Sequence, residues 1–222
     1  MLPMFGNTYN YNVLQLCWER NYMKQSYEEA SSTLRYFDCQ EEASIYRFCR
    51  ELNRLLASKI SKKHSVIILC IGSDRATGDC LGPIIGYKLE KQQYKNVHIY
   101  GTLARPVHAK NLTKTLENIY ETYKYPFIVA IDASLGKDKH VGYVTLGEGS
   151  LSPGIGVDKN LPIVGDIFIT GIVNVSGYLN HMLLQTTRLD TVMQLADYIC
   201  IGLRYVMNQI GVTSLAMDSR KR

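Results

Sequence analysis

Two stretches of this chain are apolar without interruption, and each empties into an aspartate. Residues 66–71 (Val-Ile-Ile-Leu-Cys-Ile) run into the loop Gly72-Ser73-Asp74-Arg75-Ala76-Thr77-Gly78-Asp79. Residues 127–131 (Phe-Ile-Val-Ala-Ile) end directly in Asp132-Ala133-Ser134. Apolar, β-branched runs without alternation predict strands buried on both faces, as in a parallel sheet. Between them, Gly82-Pro83 opens a helix that continues through Leu89 and Glu90. Proline suits a first helical turn, where its missing N–H would have had no partner. Residues 97–101 form a short strand and residues 103–107 a loop. Leu112, Leu116, Ile119 and Tyr120 mark one face of a helix over residues 111–123. Strand, helix, strand, helix, strand in this order implies right-handed crossovers and a parallel sheet.

The pattern changes on either side. Residues 141–146 alternate and predict a strand at an exposed edge; residues 166–173 predict a further strand, and residues 191–207 a closing helix. Residues 147–158 are rich in Gly, Ser and Pro, a long turn whose backbone could approach a ligand closely. Upstream, Val13, Leu16, Cys17 and Tyr22 hint at a helical face. Ala43, Tyr46, Phe48, Cys49, Leu52, Leu55 and Leu56 mark a stronger one. The expected organisation is an N-terminal helical extension over residues 1–60 and an α/β domain over residues 61–222. The extension would pack on the main domain or on a second copy, which leaves a homo-oligomer open; a regulatory pro-segment is the alternative.

Composition narrows the function classes. Of 222 residues, 46% are hydrophobic and 20% charged, which excludes a disordered polyelectrolyte and a coiled coil. The net charge of +5 is mild, partly carried by the last residues Arg220, Lys221 and Arg222. No basic stripe with interleaved aromatics occurs, so nucleic acid is not an expected partner. The six cysteines form no CxxC pair and no zinc-like spacing, so a reducing cytosol is expected. No signal-peptide pattern and no apolar run of about 18 residues occurs, so neither is a membrane.

The chemistry lies in the two aspartates. Ligands of open α/β sheets bind beyond the carboxyl ends of the strands. If these two strands are neighbours, Asp79 and Asp132 face one cleft. Crowded carboxylates titrate as a unit that retains a proton. The charged member can then take a proton from water while the other donates one, which is amide hydrolysis without a covalent intermediate. Each aspartate could instead cap a turn, and Asp74 competes for the same role. The pair could also hold a metal with His108 or His140; the expectation is a site without metal or cofactor. Cys80 and Ser134 are candidate nucleophiles, but no Gly-x-Ser-x-Gly elbow exists. The loop at residues 72–82 lacks the glycine pattern of a phosphate cradle. Ser73, Asp74, Thr77 and Ser134, with Pro153 and Gly154 of the glycine-rich turn, are the expected substrate-binding residues.

Three ordered segments carry a family resemblance. Thr77-Gly78-Asp79-Cys80-Leu81-Gly82-Pro83 resembles the Thr-Pro-Asp-Ala-Leu-Gly-Pro loop of the spore germination proteases, with Gly78 in place of Pro. Ala130-Ile131-Asp132-Ala133 resembles the second aspartate motif of that family, and residues 152–157 its Pro-Gly-Ser-Gly-Val loop. The nearest resemblance, over about residues 65–205, is to the YyaC-like group of sporulation proteins, described as spore proteases. It implies a three-layer α/β sandwich of the phosphorylase/hydrolase kind, shared with hydrogenase maturation endopeptidases. It also implies that Asp79 and Asp132 are the catalytic carboxylates of an atypical aspartic-type peptidase. The location would be the cytoplasm of a sporulating cell or forespore. The substrate would be a peptide or protein, with small acid-soluble spore proteins as the family's example; the alternative is a non-catalytic sporulation factor that binds a peptide or protein partner in the same cleft.

Overall fold

The computed structural model describes residues 34–92, 94–153 and 161–218. The helical face at Val13 to Tyr22 and the candidate Gly154 lie outside the described residues. The elements are β1 (Arg35–Asp38), α1 (Glu42–Lys59), β2 (Ser65–Cys70), α2 (Leu81–Leu89), β3 (Val97–Tyr100), α3 (Leu112–Thr122), β4 (Pro126–Gly136), β5 (Tyr143–Glu148), β6 (Ile167–Val175), α4 (Asn180–Gln185) and α5 (Leu189–Asp218). They build a six-stranded sheet in the order β1-β5-β6-β4-β2-β3. Only β5 runs against its neighbours, so the sheet is mostly parallel.

Alternate side chains of each central strand enter opposite layers, as the period of two requires. Val66, Ile68 and Cys70 of β2 and Val129 and Ile131 of β4 pack with Leu81, Ile85 and Leu89 of α2 and with α1 and α5. Ile67 and Leu69 of β2 and Ile128 and Ala130 of β4 pack with Leu112, Leu116 and Ile119 of α3. The result is a helix–sheet–helix sandwich. Each fully buried Leu or Ile contributes about 1.5–3 kcal/mol, which explains why residues 66–70 of β2 and 127–131 of β4 carry no polar side chain other than the buried Cys70 thiol.

Residues 34–60, read from sequence as part of a helical extension, are built into the domain. β1 pairs with β5 from Arg35↔Leu146 to Asp38↔Tyr143. β5 is therefore interior rather than the exposed edge its alternation predicted, and Val144, Thr145 and Leu146 are all buried. The covering strand was missed because Arg35–Asp38 is only four residues long and polar at both ends. Phe48 of α1 is fully buried. Its ring lies 5.3 Å from Phe37 and 5.3 Å from Tyr198. The hydroxyls of Ser44 and Tyr198 share a hydrogen bond of 2.8 Å.

Strand order also locates the crevice. From β2 the chain passes through α2 to β3 on one side. It then returns across β2 through α3 to β4 on the other. The two helices lie on opposite faces of the sheet. The carboxyl ends of β2 and β4 are thus a topological switch point, the usual ligand site of open α/β sheets.

Candidate active site

Two consecutive residues just past β2 organise the site. The N–H of Ile71 donates to the carbonyl of Ile131 at 2.7 Å, one step beyond the β2/β4 ladder. The N–H of Gly72 donates to the carbonyl of Val107 at 2.8 Å, on the other side. The residue after Ile131 is Asp132, and the residue after Val107 is His108. Gly72 itself, at φ +140°, lies against the backbone of Asp79. Ser73 closes the loop by donating its N–H to the Asp79 carbonyl at 3.1 Å. Asp79, His108 and Asp132 are therefore gathered by backbone bonds around a single point.

All three line one cavity of about 430 Å³, together with Ser73, Pro153 and His181. This volume lies within the range of small-ligand pockets. Asp132 is 5% exposed. β4 does not stop at Asp132, as its sequence implied, but pairs with β6 through Gly136, with a bulge between Ser134 and Leu135. The ladder with β2 does end at Ile131, so Asp132 is the first β4 residue beside the opening. Its Oδ1 accepts the N–H of Ala133 at 2.8 Å. Asp79 sits in a short helical turn, Gly78–Cys80, that leads into α2. Desolvation raises its carboxyl above the ordinary 3.8, and the Ser73 amide, His108 and His181 oppose that shift.

His108 is fixed by the start of α3. Its N–H donates to Asn111 Oδ1 at 2.8 Å, and its carbonyl accepts the N–H of Leu112 at 2.9 Å. Its ring Nδ1 is buried with no hydrogen-bond partner among the described residues. A buried, unpaired nitrogen is costly, and here it belongs to a residue lining the cavity. His181 comes from α4, which packs on the Asp79 turn: a Cβ on Gly78 would stand 2.9 Å from Leu184 Cδ2. Arg75 and Lys110 add positive charge to the lining.

The remaining sequence candidates divide. Ser73 and Pro153 line the cavity. Asp74 is exposed and Thr77 half-buried, and both lie outside the lining. Ser134 is turned to β6, donating to Thr170 Oγ1 at 3.1 Å, while its neighbours Ala133 and Leu135 face the cavity. The Cys80 thiol donates to the Ala76 carbonyl at 3.3 Å, and desolvation, then Asp79, then Asp74 raise its pKa. Neither Ser134 nor Cys80 is set up as a nucleophile. His140 is elsewhere, stacked 5.0 Å from Tyr36 and 5.3 Å from Tyr143. Among the described residues, no three His, Cys, Asp or Glu side chains are grouped to hold a metal ion. His181 was missed because residues 176–188 show no periodicity or motif; only its place on a helix against the Asp79 turn gives it meaning.

Comparison with known proteins places the chain. Residues 38–202 match the sequence profile of the family described as "Protein of unknown function (DUF1256)". The chain belongs to the DUF1256 family. A relative, "Uncharacterized protein YyaC" of Bacillus subtilis (strain 168), is 46% identical over 156 residues, or 69% of this chain and 76% of that protein. The DUF1256 span includes the two aspartates and two histidines that line the cavity, Asp79, His108, Asp132 and His181. It begins at Asp38, so α1 belongs to the DUF1256 domain and not to an appendage.

Proposed function

We propose that this chain is an endopeptidase of a sporulating cell, hydrolysing peptide bonds with Asp79 and Asp132 around one water. The observation that carries the reading is the shared cavity at the switch point. Two carboxylates, one past the end of β2 and one on β4, line the same cavity. The two differ in setting. Desolvation favours the protonated form of Asp79, while Asp132 accepts a backbone N–H. Asp79 is thus cast as the proton donor and Asp132 as the base.

In this mechanism Asp132 takes a proton from water as its oxygen bonds to the peptide carbonyl carbon. Asp79 gives its proton to the carbonyl oxygen. The C–N bond of the tetrahedral intermediate then breaks as the amine takes the proton held by Asp132, and a hydroxyl of the new carboxyl group returns its proton to Asp79. His108, His181 and Lys110 line the same cavity and are further polar groups for the substrate carbonyl as charge builds on its oxygen. The substrate class is an intracellular peptide or protein, and the resemblance to germination proteases favours small acid-soluble spore proteins.

The test is incubation of the purified chain with an extract of dormant spores, followed by sequencing of new N-termini. New termini that vanish with both Asp79→Asn and Asp132→Asn support the reading. Turnover unchanged in both variants refutes it. Capture of an intact spore protein without cleavage favours a binding role for the same cavity.

A further inference from the structure

The sheet has one edge that leads to the candidate site. β3 is the last strand on its side. Along it runs an open groove of about 1380 Å³, walled by α3 and by the loop that follows β3. The groove ends at His108, which also lines the cavity of Asp79 and Asp132, so one side chain stands on the wall of both spaces.

The backbone of β3 is oriented for pairing. Val66 donates its N–H to the Asn96 carbonyl at 2.8 Å, and β2 and β3 are in register from Val66↔Val97. In a parallel ladder this directs His98 and Tyr100 toward β2 and turns the N–H and C=O of Ile99 to the open edge. An outward row of this kind is a template for an added strand.

The groove is polarised by charge. Lys114, Glu117 and Glu121 lie at helical spacing on the wall formed by α3. The helix starts near His108 and runs away from the site, so Lys114 stands in the first turn near the cavity, Glu117 midway along the helix and Glu121 in its last turn. Glu90, at the end of α2, adds to the negative charge beyond Lys114, and Arg105 of the loop after β3 adds to the positive charge. Residues 1–33 join the described chain at β1, on the opposite edge of the sheet, roughly 24 Å away across five strand spacings.

We propose that the β3 edge is the substrate-docking surface, taking an extended polypeptide segment as a seventh strand. The segment carries basic residues where it crosses the glutamates and delivers the adjoining peptide bond past His108 to Asp79 and Asp132. This rests on the peptidase reading for its purpose, but the docking stands or falls separately.

The experiment uses the full chain carrying Asp79→Asn and Asp132→Asn, so that ligands stay intact. Ten-residue Val/Thr-rich peptides with a lysine pair at one end or the other are compared with glutamate counterparts, by fluorescence anisotropy at low salt. One of the lysine peptides binds about tenfold more tightly than the glutamate peptides, in line with exposed ion pairs. Glu117→Lys with Glu121→Lys reverses the preference, and amide exchange slows at residues 97–101. Equal binding of all peptides, or slowed exchange at β1 instead, overturns the proposal. A cross-link between residues 1–33 and β3 in the free chain assigns the groove to the chain's own segment and also overturns it. The expected binding together with no cleavage by the unaltered chain upholds the edge and refutes the peptidase; cleavage without such binding refutes the edge alone.

Discussion

Gly72 and Asp79 are in backbone contact: a Cβ on Gly72 would stand 2.1 Å from the Asp79 carbonyl oxygen. The loop between them returns on itself only because residue 72 has no side chain and holds φ at +140°. The position of the Asp79 carboxyl therefore depends on a glycine seven residues earlier.

Gly72→Ala is expected to destabilise the fold by about 1–3 kcal/mol and to reduce peptide cleavage further, because Asp79 must shift. Gly142→Ala provides the comparison. Gly142 has φ +88° with nothing within 4 Å of an added Cβ, so strain alone acts there, far from the cavity. Urea midpoints and cleavage rates of both variants check this. Equal loss of activity per unit of stability in the two would show that the Gly72 contact does not set the site.

Asp79→Asn and Asp132→Asn should each lower turnover by about 10²–10⁴-fold, the usual contribution of a positioned acid or base. Circular dichroism should be unchanged, since asparagine keeps the shape of the side chain. Initial rates on a cleaved spore-protein peptide provide the measurement. A variant within a few-fold of the parent would remove that aspartate from the mechanism.

The sequence made the sheet legible where burial is complete. Residues 66–71 and 127–131 announce themselves because both faces of β2 and β4 are covered by helices. The neighbourhood of Asp79 and Asp132 follows from that order. Pairing partners at the far edge were not legible. β1 has four residues with only Phe37 buried, so nothing in its pattern distinguishes it from a loop before α1. The site was legible as to its carboxylates; of its imidazoles, the sequence offers His108 only as an alternative to His140 for a metal, and His181 not at all. His108 is placed by a bridge between Ile71 and Val107, a contact between segments far apart in the chain. His181 owes its place to the packing of a six-residue helix against Gly78.

Stability should carry the mark of Asp79. Its carboxyl titrates above 3.8 in the folded chain because of desolvation. Between the unfolded and folded pKa values the native state binds more protons, so stability falls as pH rises through that window. The benefit of the neutral form is complete below the unfolded value and lost above the folded one. Asp79→Asn stays neutral throughout. Denaturation of both proteins across acidic pH should show the variant gaining on the parent as pH rises out of that window. A constant difference would mean that Asp79 is not desolvated.

His108→Leu separates folding from function. The buried Nδ1 has no partner among the described residues, and replacing an unsatisfied polar group by an apolar one of similar size is neutral or stabilising. The urea midpoint of the variant should match or exceed that of the parent, while on the proposed peptidase reading cleavage falls because the cavity loses a polar group. A lower midpoint would indicate that the ring is held by bonds essential to the fold.

Phe48→Ala tests whether α1 belongs to the core. Phe48 is fully buried between Phe37 and Tyr198. A Cβ on Gly202 would lie 2.4 Å from its ring, so α5 packs directly on it. Gly202 and the two aromatic rings cannot close over the void, because Phe37 sits on β1 and Tyr198 and Gly202 on α5, each held by its own contacts. The expected loss is about 3–5 kcal/mol, as for other large-to-small changes at buried aromatic positions. Because α5 also packs on α2, the loss should appear as one cooperative transition shifted to lower denaturant, with no separate early melting of residues 35–59. Two resolved transitions would instead make β1 and α1 an independent unit resting on the sheet.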